Sequence, residues 1–142
     1  MKQSDTIKTM VAGHICLDIT PGFNPLLEGG FNEIFAPGKL INVEEVVIGT
    51  GGTVSNTGLA MTKLGIDVCL NGKVGDDEFG RMIKDRVGFD KSAAFKTVSG
   101  QSSSYSIVLA LPGVDRIFLH HPGTNDTFTA DDFDYDALSK CS

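Results

Sequence analysis

A glycine-rich bend between an apolar run and a helix constrains this chain more than any other feature. Val46-Val47-Ile48 leads into Gly49-Thr50-Gly51-Gly52-Thr53-Val54-Ser55-Asn56-Thr57-Gly58, and a helical pattern runs on to Leu64. Glycine lets a backbone approach a ligand closely because no Cβ stands in the way. The helix start turns N–H groups and the positive end of a dipole toward an oxygen-rich ligand. Asn56, one turn in, adds an amide that both donates and accepts. A strand-to-helix turn with no ligand would carry the same spacing.

Two familiar cradles fail on their own requirements. A phosphate-binding Walker loop needs Lys and then Ser or Thr after its last glycine, and Thr53-Val54 stand there instead. A dinucleotide turn needs Gly-x-Gly-x-x-Gly, and Val54 holds the third glycine's place. It also needs an acidic residue at the end of the next strand. The strand Ile66 to Leu70 ends in Asn71-Gly72, with Asp67 at its start.

The 142 residues suffice for one domain with a core, and 41% hydrophobic with 21% charged residues is ordinary for a globular protein. A net charge of −6 without a Lys/Arg cluster argues against nucleic-acid and acidic-membrane partners. No apolar run reaches the roughly 20 residues of a membrane span. The polar start, Met1-Lys2-Gln3-Ser4-Asp5, is not followed by a signal-peptide core. Three scattered cysteines, Cys16, Cys69 and Cys141, suit free thiols in a reducing cytoplasm. Cys16 and Cys69 lie in apolar runs and read as small buried hydrophobes.

Along the chain, Thr9 to Leu17 reads as one buried strand ending at Asp18, with Pro21-Gly22 breaking the chain after it. An irregular stretch follows to Pro37-Gly38. Leu40 to Ile48 alternates like a strand with one solvated face. The helix after the glycines runs from about Val54 to Leu64, with Gly65 at its end. Ile66 to Leu70 is a second buried strand, and Gly72-Lys73-Val74-Gly75 a loop. Asp76 or Asp77 caps a helix from Glu78 to Val87, closed by Gly88. Tyr105 to Leu111 and Arg116 to His120 form a hairpin around Pro112-Gly113. Thr129 caps a last short helix that reaches about Lys140. Alternating strands and helices predict an α/β fold with a parallel sheet, and an unfinished one: a chain that has just formed a helix should feed another strand. His120 and His121 are neighbours on a strand, so they point to opposite faces and do not pair on one metal. One reads as surface and the other as a ligand contact. Tyr105 and Phe118 read as packing.

Four stretches together resemble the N-terminal part of a ribokinase-like (PfkB) carbohydrate kinase. They are Val11 to Asp18, Pro37-Gly38-Lys39, Gly51 to Gly58 with Lys63-Leu64-Gly65, and Gly72-Lys73-Val74-Gly75-Asp76-Asp77-Glu78-Phe79-Gly80. The third is similar to the family's GG-x-x-x-N-x-[AG], and the fourth follows about twenty residues later. The resemblance implies a layered α/β/α fold with a parallel central sheet and a small β lid, whose strands fall at about 34–49 and 104–121. It implies that Asp18, Gly51, Gly52 and Asn56 bind the substrate: the carboxylate accepts from sugar hydroxyls, the glycines bring backbone amides close, and Asn56 holds another hydroxyl. It assigns no catalytic, cofactor-binding or metal residue within these positions. ATP and Mg2+ are expected for the intact enzyme, bound mainly by residues absent from this chain. The family's Gly-Ala-Gly-Asp motif does not occur in the sequence, so the chain alone should be inactive. Lys39 departs from the acidic residue frequent in relatives. The expected partner is a small sugar, polyol or nucleoside, and relatives often form homodimers through the lid. The rival expectation is a non-catalytic module that binds a sugar or nucleoside, or dimerises, without transferring phosphate.

Overall fold

The structure, a computed structural model, describes residues 8–141, so the polar stretch Met1–Asp5 lies outside it. In chain order it contains β1 (Lys8–Ala12), β2 (Cys16–Gly22), α1 (Phe31–Ile34), β3 (Glu44–Gly51), α2 (Gly52–Lys63), β4 (Asp67–Asn71), β5 (Lys73–Gly75), α3 (Glu78–Val87), β6 (Lys96–Val98), β7 (Tyr105–Leu109), β8 (Ile117–His121) and α4 (Tyr135–Leu138). Short 3-10 turns occupy Lys91–Ala94, Gly123–Thr127 and Ala130–Asp132.

The α/β class agrees with the sequence, but the sheet does not. The largest sheet has the order β3-β2-β7-β8 and is mixed. β2 pairs antiparallel with β3, β7 pairs antiparallel with β8, and only β2 and β7 run parallel. Local returns force the antiparallel pairs: the β7–β8 hairpin is short, and β3 doubles back after the 23–43 excursion. The parallel pair needs a crossover, which α2 and α3 supply. Two separate parallel pairs, β1 with β4 and β5 with β6, complete the ladders among the described residues.

Other boundaries also move. The expected single strand from Thr9 to Leu17 is two strands in two different sheets. The break falls at Gly13, whose φ of 133° is open to glycine and strained for other residues. Asp18 is therefore inside β2, not at a strand end. Pro21 stays in the ladder opposite Val46, beside a bulge at Pro21/Gly22 that tolerates its missing N–H. The Leu40 to Ile48 strand starts only at Glu44, and the predicted loop at Gly72–Gly75 contains β5. α3 has the expected limits: the Asp77 side chain accepts from Gly80 N–H, and Gly88 ends the helix.

The core is one cluster of Val11, Ile15, Leu17, Val54, Val68, Leu70, Val74, Ile83, Val87 and Phe95. Each such side chain contributes roughly 1.5–3 kcal/mol of burial. α2 lies tight against β4 at Gly58, where a Cβ would overlap a methyl of Leu70. Beside this core sits a buried polar node. Lys73 Nζ lies 3.0 Å from Asp132 and 2.7 Å from the Thr127 carbonyl, and Lys96 Nζ lies 2.8 Å from the other Asp132 oxygen. Asn71 donates to the carbonyls of Ala94 and Asp132, fastening the C-terminal turns to β4.

Candidate functional site

Register pairs in a sheet share a face. Gly49 pairs with Asp18, Asp18 with Ser106, and Ser106 with His120, so one polar row crosses all four strands of the mixed sheet. Side-chain contacts agree. The Ser106 hydroxyl and His120 Nδ1 lie 2.9 Å apart, and the Cys16 thiol donates to Asp18 Oδ1 at 3.4 Å. Ser106 is buried, Asp18 half-buried and His120 exposed, so the row is open to solvent at its β8 end.

The glycine bend closes on the inner end of that row. A Cβ at Gly51 would overlap the Asp18 carboxylate, so glycine there is what lets β3 and Asp18 meet. Gly52 has φ 85°, and a Cβ on it would fall 2.5 Å from the His14 carbonyl oxygen and 2.6 Å from its Nδ1. That carbonyl accepts from Val54 N–H at 3.0 Å, which seats the first turn of α2 against the β1–β2 corner. The His14 ring lies 5.6 Å from the His120 ring, centroid to centroid. Asp18, Gly51, Gly52, His14, Ser106 and His120 thus converge. Asn56 is exposed on the first turn of α2, four residues after Gly52 and therefore on the same helix face.

The electrostatics favour a hydroxylated ligand over a phosphate at the bend. A phosphate against Gly51 would meet the Asp18 charge, whereas a hydroxyl would donate to it. Burial pushes the His14 imidazole below its ordinary value, the His120 ring adds to this, and Asp18 opposes it. His14 is thus neutral at pH 7, able to donate through one ring nitrogen and accept through the other. Burial first, then the Asp18 carboxylate, push the Cys16 thiol up to about 12, so it is a donor and not a nucleophile.

Three expected roles resolve differently from one another. Cys16 is buried, as expected, but also touches Asp18. His121 points to the other face, with its ring 5.4 Å from Tyr105, which in turn packs edge-on against Phe79 at 5.3 Å. Lys39 donates to the Glu33 carbonyl at 3.0 Å, within the 23–43 excursion. His14 and Ser106 had no signal in the sequence, because strand pairing brings Ser106 to Asp18 and the β1–β2 corner turns His14 against Gly52. Asp76 and Asp77 divide as a surface residue and a cap. Asp77 also accepts from the Ser103 N–H and hydroxyl at 2.8 and 2.6 Å. Burial pushes its pKa up, but these bonds and the Gly80 N–H outweigh burial and leave it below the usual carboxylate value.

Comparison with known proteins identifies the fold and the family. The chain is 33% identical over 85 residues to an uncharacterized sugar kinase of Archaeoglobus fulgidus, a match that covers 58% of this chain and 33% of the relative. It is 26% identical over 96 residues to fructokinase-1 of Zea mays, covering 65% of this chain and 30% of the relative. Its fold matches the Arabidopsis thaliana ribokinase complexed with ribose and ATP with a TM-score of 0.71 at 17% identity, over 96% of this chain and 43% of that one. The chain therefore spans about a third of the length of these curated relatives. The pfkB family carbohydrate kinase model matches residues 28–140, and the chain belongs to that family.

Proposed function

We propose that this chain forms the acceptor side of an ATP-dependent kinase acting on a hydroxyl of a sugar, polyol or nucleoside. The observation that carries the reading is the meeting of the Asp18 row with the Gly51-Gly52 bend. Asp18 accepts from acceptor hydroxyls, the backbone at Gly51 and Gly52 closes one side, and Asn56 reaches from α2. Ser106, His120 and neutral His14 supply further donors and acceptors. ATP, with Mg2+, brings the phosphoryl group and its charge neutralisation. This chain's contribution is to orient the acceptor, the positioning that phosphoryl transfer depends on. The sheet β3-β2-β7-β8 acts as a lid over the acceptor and keeps water from competing for the phosphoryl group. A homodimer through that sheet would cover Val46 and Leu119, which are 46% and 53% exposed on the face away from Asp18. Sedimentation of the full-length gene product as a dimer is the expected result. We assign the protein to the cytoplasm, where Cys16, Cys69 and Cys141 stay reduced.

The test is ADP release by the full-length gene product with ATP, Mg2+ and a panel of sugars, polyols and nucleosides. One or more acceptors should stimulate release, and Asp18→Asn should lower kcat/KM for that acceptor at least about a hundredfold, as expected for loss of a charged hydrogen-bond acceptor and of orientation. Residues 1–142 produced alone should consume no ATP with any acceptor. An Asp18→Asn enzyme as active as wild type would refute the assignment.

A further inference from the structure

We propose that Asn125 is a positioning residue that holds Asp18 in register for its ligand; the inference rests on the acceptor-side reading above. Asn125 lies in the 3-10 turn Gly123–Thr127, just after β8. Its Nδ2 donates to the Ile15 carbonyl at 2.8 Å, and its Oδ1 accepts from Ile15 N–H at 3.3 Å. One amide thus satisfies both backbone groups of a residue 110 positions away. Ile15 is fully buried and sits in the gap between β1 and β2, where no strand ladder serves it. Without the amide, both groups would be buried and unpaired.

The turn that carries Asn125 is itself fixed. Thr124 is fully buried, its hydroxyl donates to the Lys73 carbonyl at 2.8 Å, and its N–H donates to the Ser102 carbonyl at 3.0 Å. The clamp therefore ties β5 and the loop leading to β7 to the corner that launches β2. That corner also carries the His14 carbonyl under α2. Asp18 stands three residues past Ile15, about 10 Å along an extended strand. A tilt of about 6° at Ile15 would swing it by about 1 Å, a misplacement that can cost on the order of a hundredfold in rate. Among the described residues, Asn125 makes no hydrogen bond to the row, so its effect on the acceptor passes through the backbone.

The experiment uses the full-length gene product with Asn125→Asp, which lacks the donor and sets a carboxylate oxygen against the Ile15 carbonyl. Asn125→Ser, which removes the clamp without adding charge, is the second variant should the first fail to fold. Val87→Ala, which opens a gap in the core under α3 but leaves the amide and its turn in place, controls for lost stability. The Asn125 variants should raise KM for the acceptor about tenfold to a hundredfold, leave KM for ATP within about twofold, and speed hydrogen exchange across residues 13–18. Val87→Ala should lower Tm without either change. Unchanged acceptor KM and exchange in the Asn125 variants, or an equal KM rise in Val87→Ala, would overturn the proposal. If wild type shows no acceptor-dependent ATP consumption, the kinase reading fails by itself. The exchange measurement then decides the clamp: faster exchange confined to residues 13–18 supports it, and unchanged exchange overturns it.

Discussion

Gly49 and Gly51 stand two positions apart on one strand and carry opposite constraints. A Cβ at Gly49 meets nothing within 4 Å, whereas one at Gly51 overlaps the Asp18 carboxylate. Gly51→Ala should therefore displace Asp18, costing about 1–3 kcal/mol of strain. In the full-length protein it should erase the thermal shift that an acceptor produces, while Gly49→Ala keeps the wild-type Tm without ligand. Equal behaviour of the two variants would mean that Asp18 moves aside at no cost. His14 gives a second test at this scale. Its folded value lies below its ordinary 6.5, so the unfolded chain binds the proton more readily. Stability is full above pH 6.5, falls as the pH drops toward the depressed value, and levels off below it. His14→Gln should flatten that part of the Tm-against-pH curve between pH 7 and 5; a slope identical to wild type would assign the acid sensitivity elsewhere. The glycine bend was legible in the sequence because its spacing is local, whereas Asp18 came only through the family resemblance. Ser106 and His14 were not legible: strand register brings Ser106 beside Asp18, and the β1–β2 corner, bonded to α2 and to the Gly123–Thr127 turn, places His14.

At the scale of elements, the two long helices, α2 and α3, were legible; the single turn α1 was not, the last helix is shorter than expected, and the strands were legible only in part. α3 declares itself through Asp77, its apolar stripe and Gly88, all within one stretch. The β1–β2 break is hidden inside the continuous apolar run Met10 to Leu17, because the groups that end β1 and start β2 belong to Asn71, Asn125 and Ser104. The same is true of the polar node. Asn71, Lys73 and Asp132 look like surface residues by type, yet the Asp132 and Lys73 side chains are only 3% and 8% exposed. The Lys96 ammonium beside Asp132 holds its carboxyl well below the usual carboxylate range; burial opposes this, and Thr129 N–H and Lys73 reinforce it. Asp132→Asn should cost about 3–5 kcal/mol, because it leaves the Lys73 charge buried without its partner. Lys96→Met should cost about 1 kcal/mol or less, since that side chain is 47% exposed and screened by water. Urea unfolding midpoints of the two variants check the order; equal losses would mean that the buried pair is no stronger than the exposed one.

For the whole molecule, the alternation of strands and helices could be read from the sequence only in part, since β1 and β2 read as one strand and β5 and β6 did not show, and which sheet each strand joins could not be read. The mixed sheet joins the rest of the fold through four chain crossings: β1 to β2, β3 to α2, β6 to β7, and β8 to the turn at Gly123–Thr127. Each crossing contains a glycine with positive φ: Gly13 at 133°, Gly52 at 85°, Gly100 at 74° and Gly123 at 53°. Side-chain bonds sit beside these glycines, including Ser104 Oγ to the His121 carbonyl at 3.0 Å and Gly75 N–H to Ser103 Oγ at 2.8 Å. Each crossing thus turns at a glycine, with strand ladders on the sheet side, and hinge motions act at a few such connecting residues. If the sheet closes over an acceptor held by Asp18, the crossings should lose mobility together while the interior of each body stays as it was. Hydrogen exchange on the full-length gene product, with and without the acceptor that stimulates ADP release, measures this directly. Protection should rise across residues 13–15, 51–53, 100–104 and 121–124, and should not change within α3. Asp18→Asn should show none of the rise at saturating ATP alone or with acceptor. Protection confined to residues near Asp18, with the Gly100 and Gly123 crossings unaffected, would mean that the acceptor binds to a sheet that does not move as a unit.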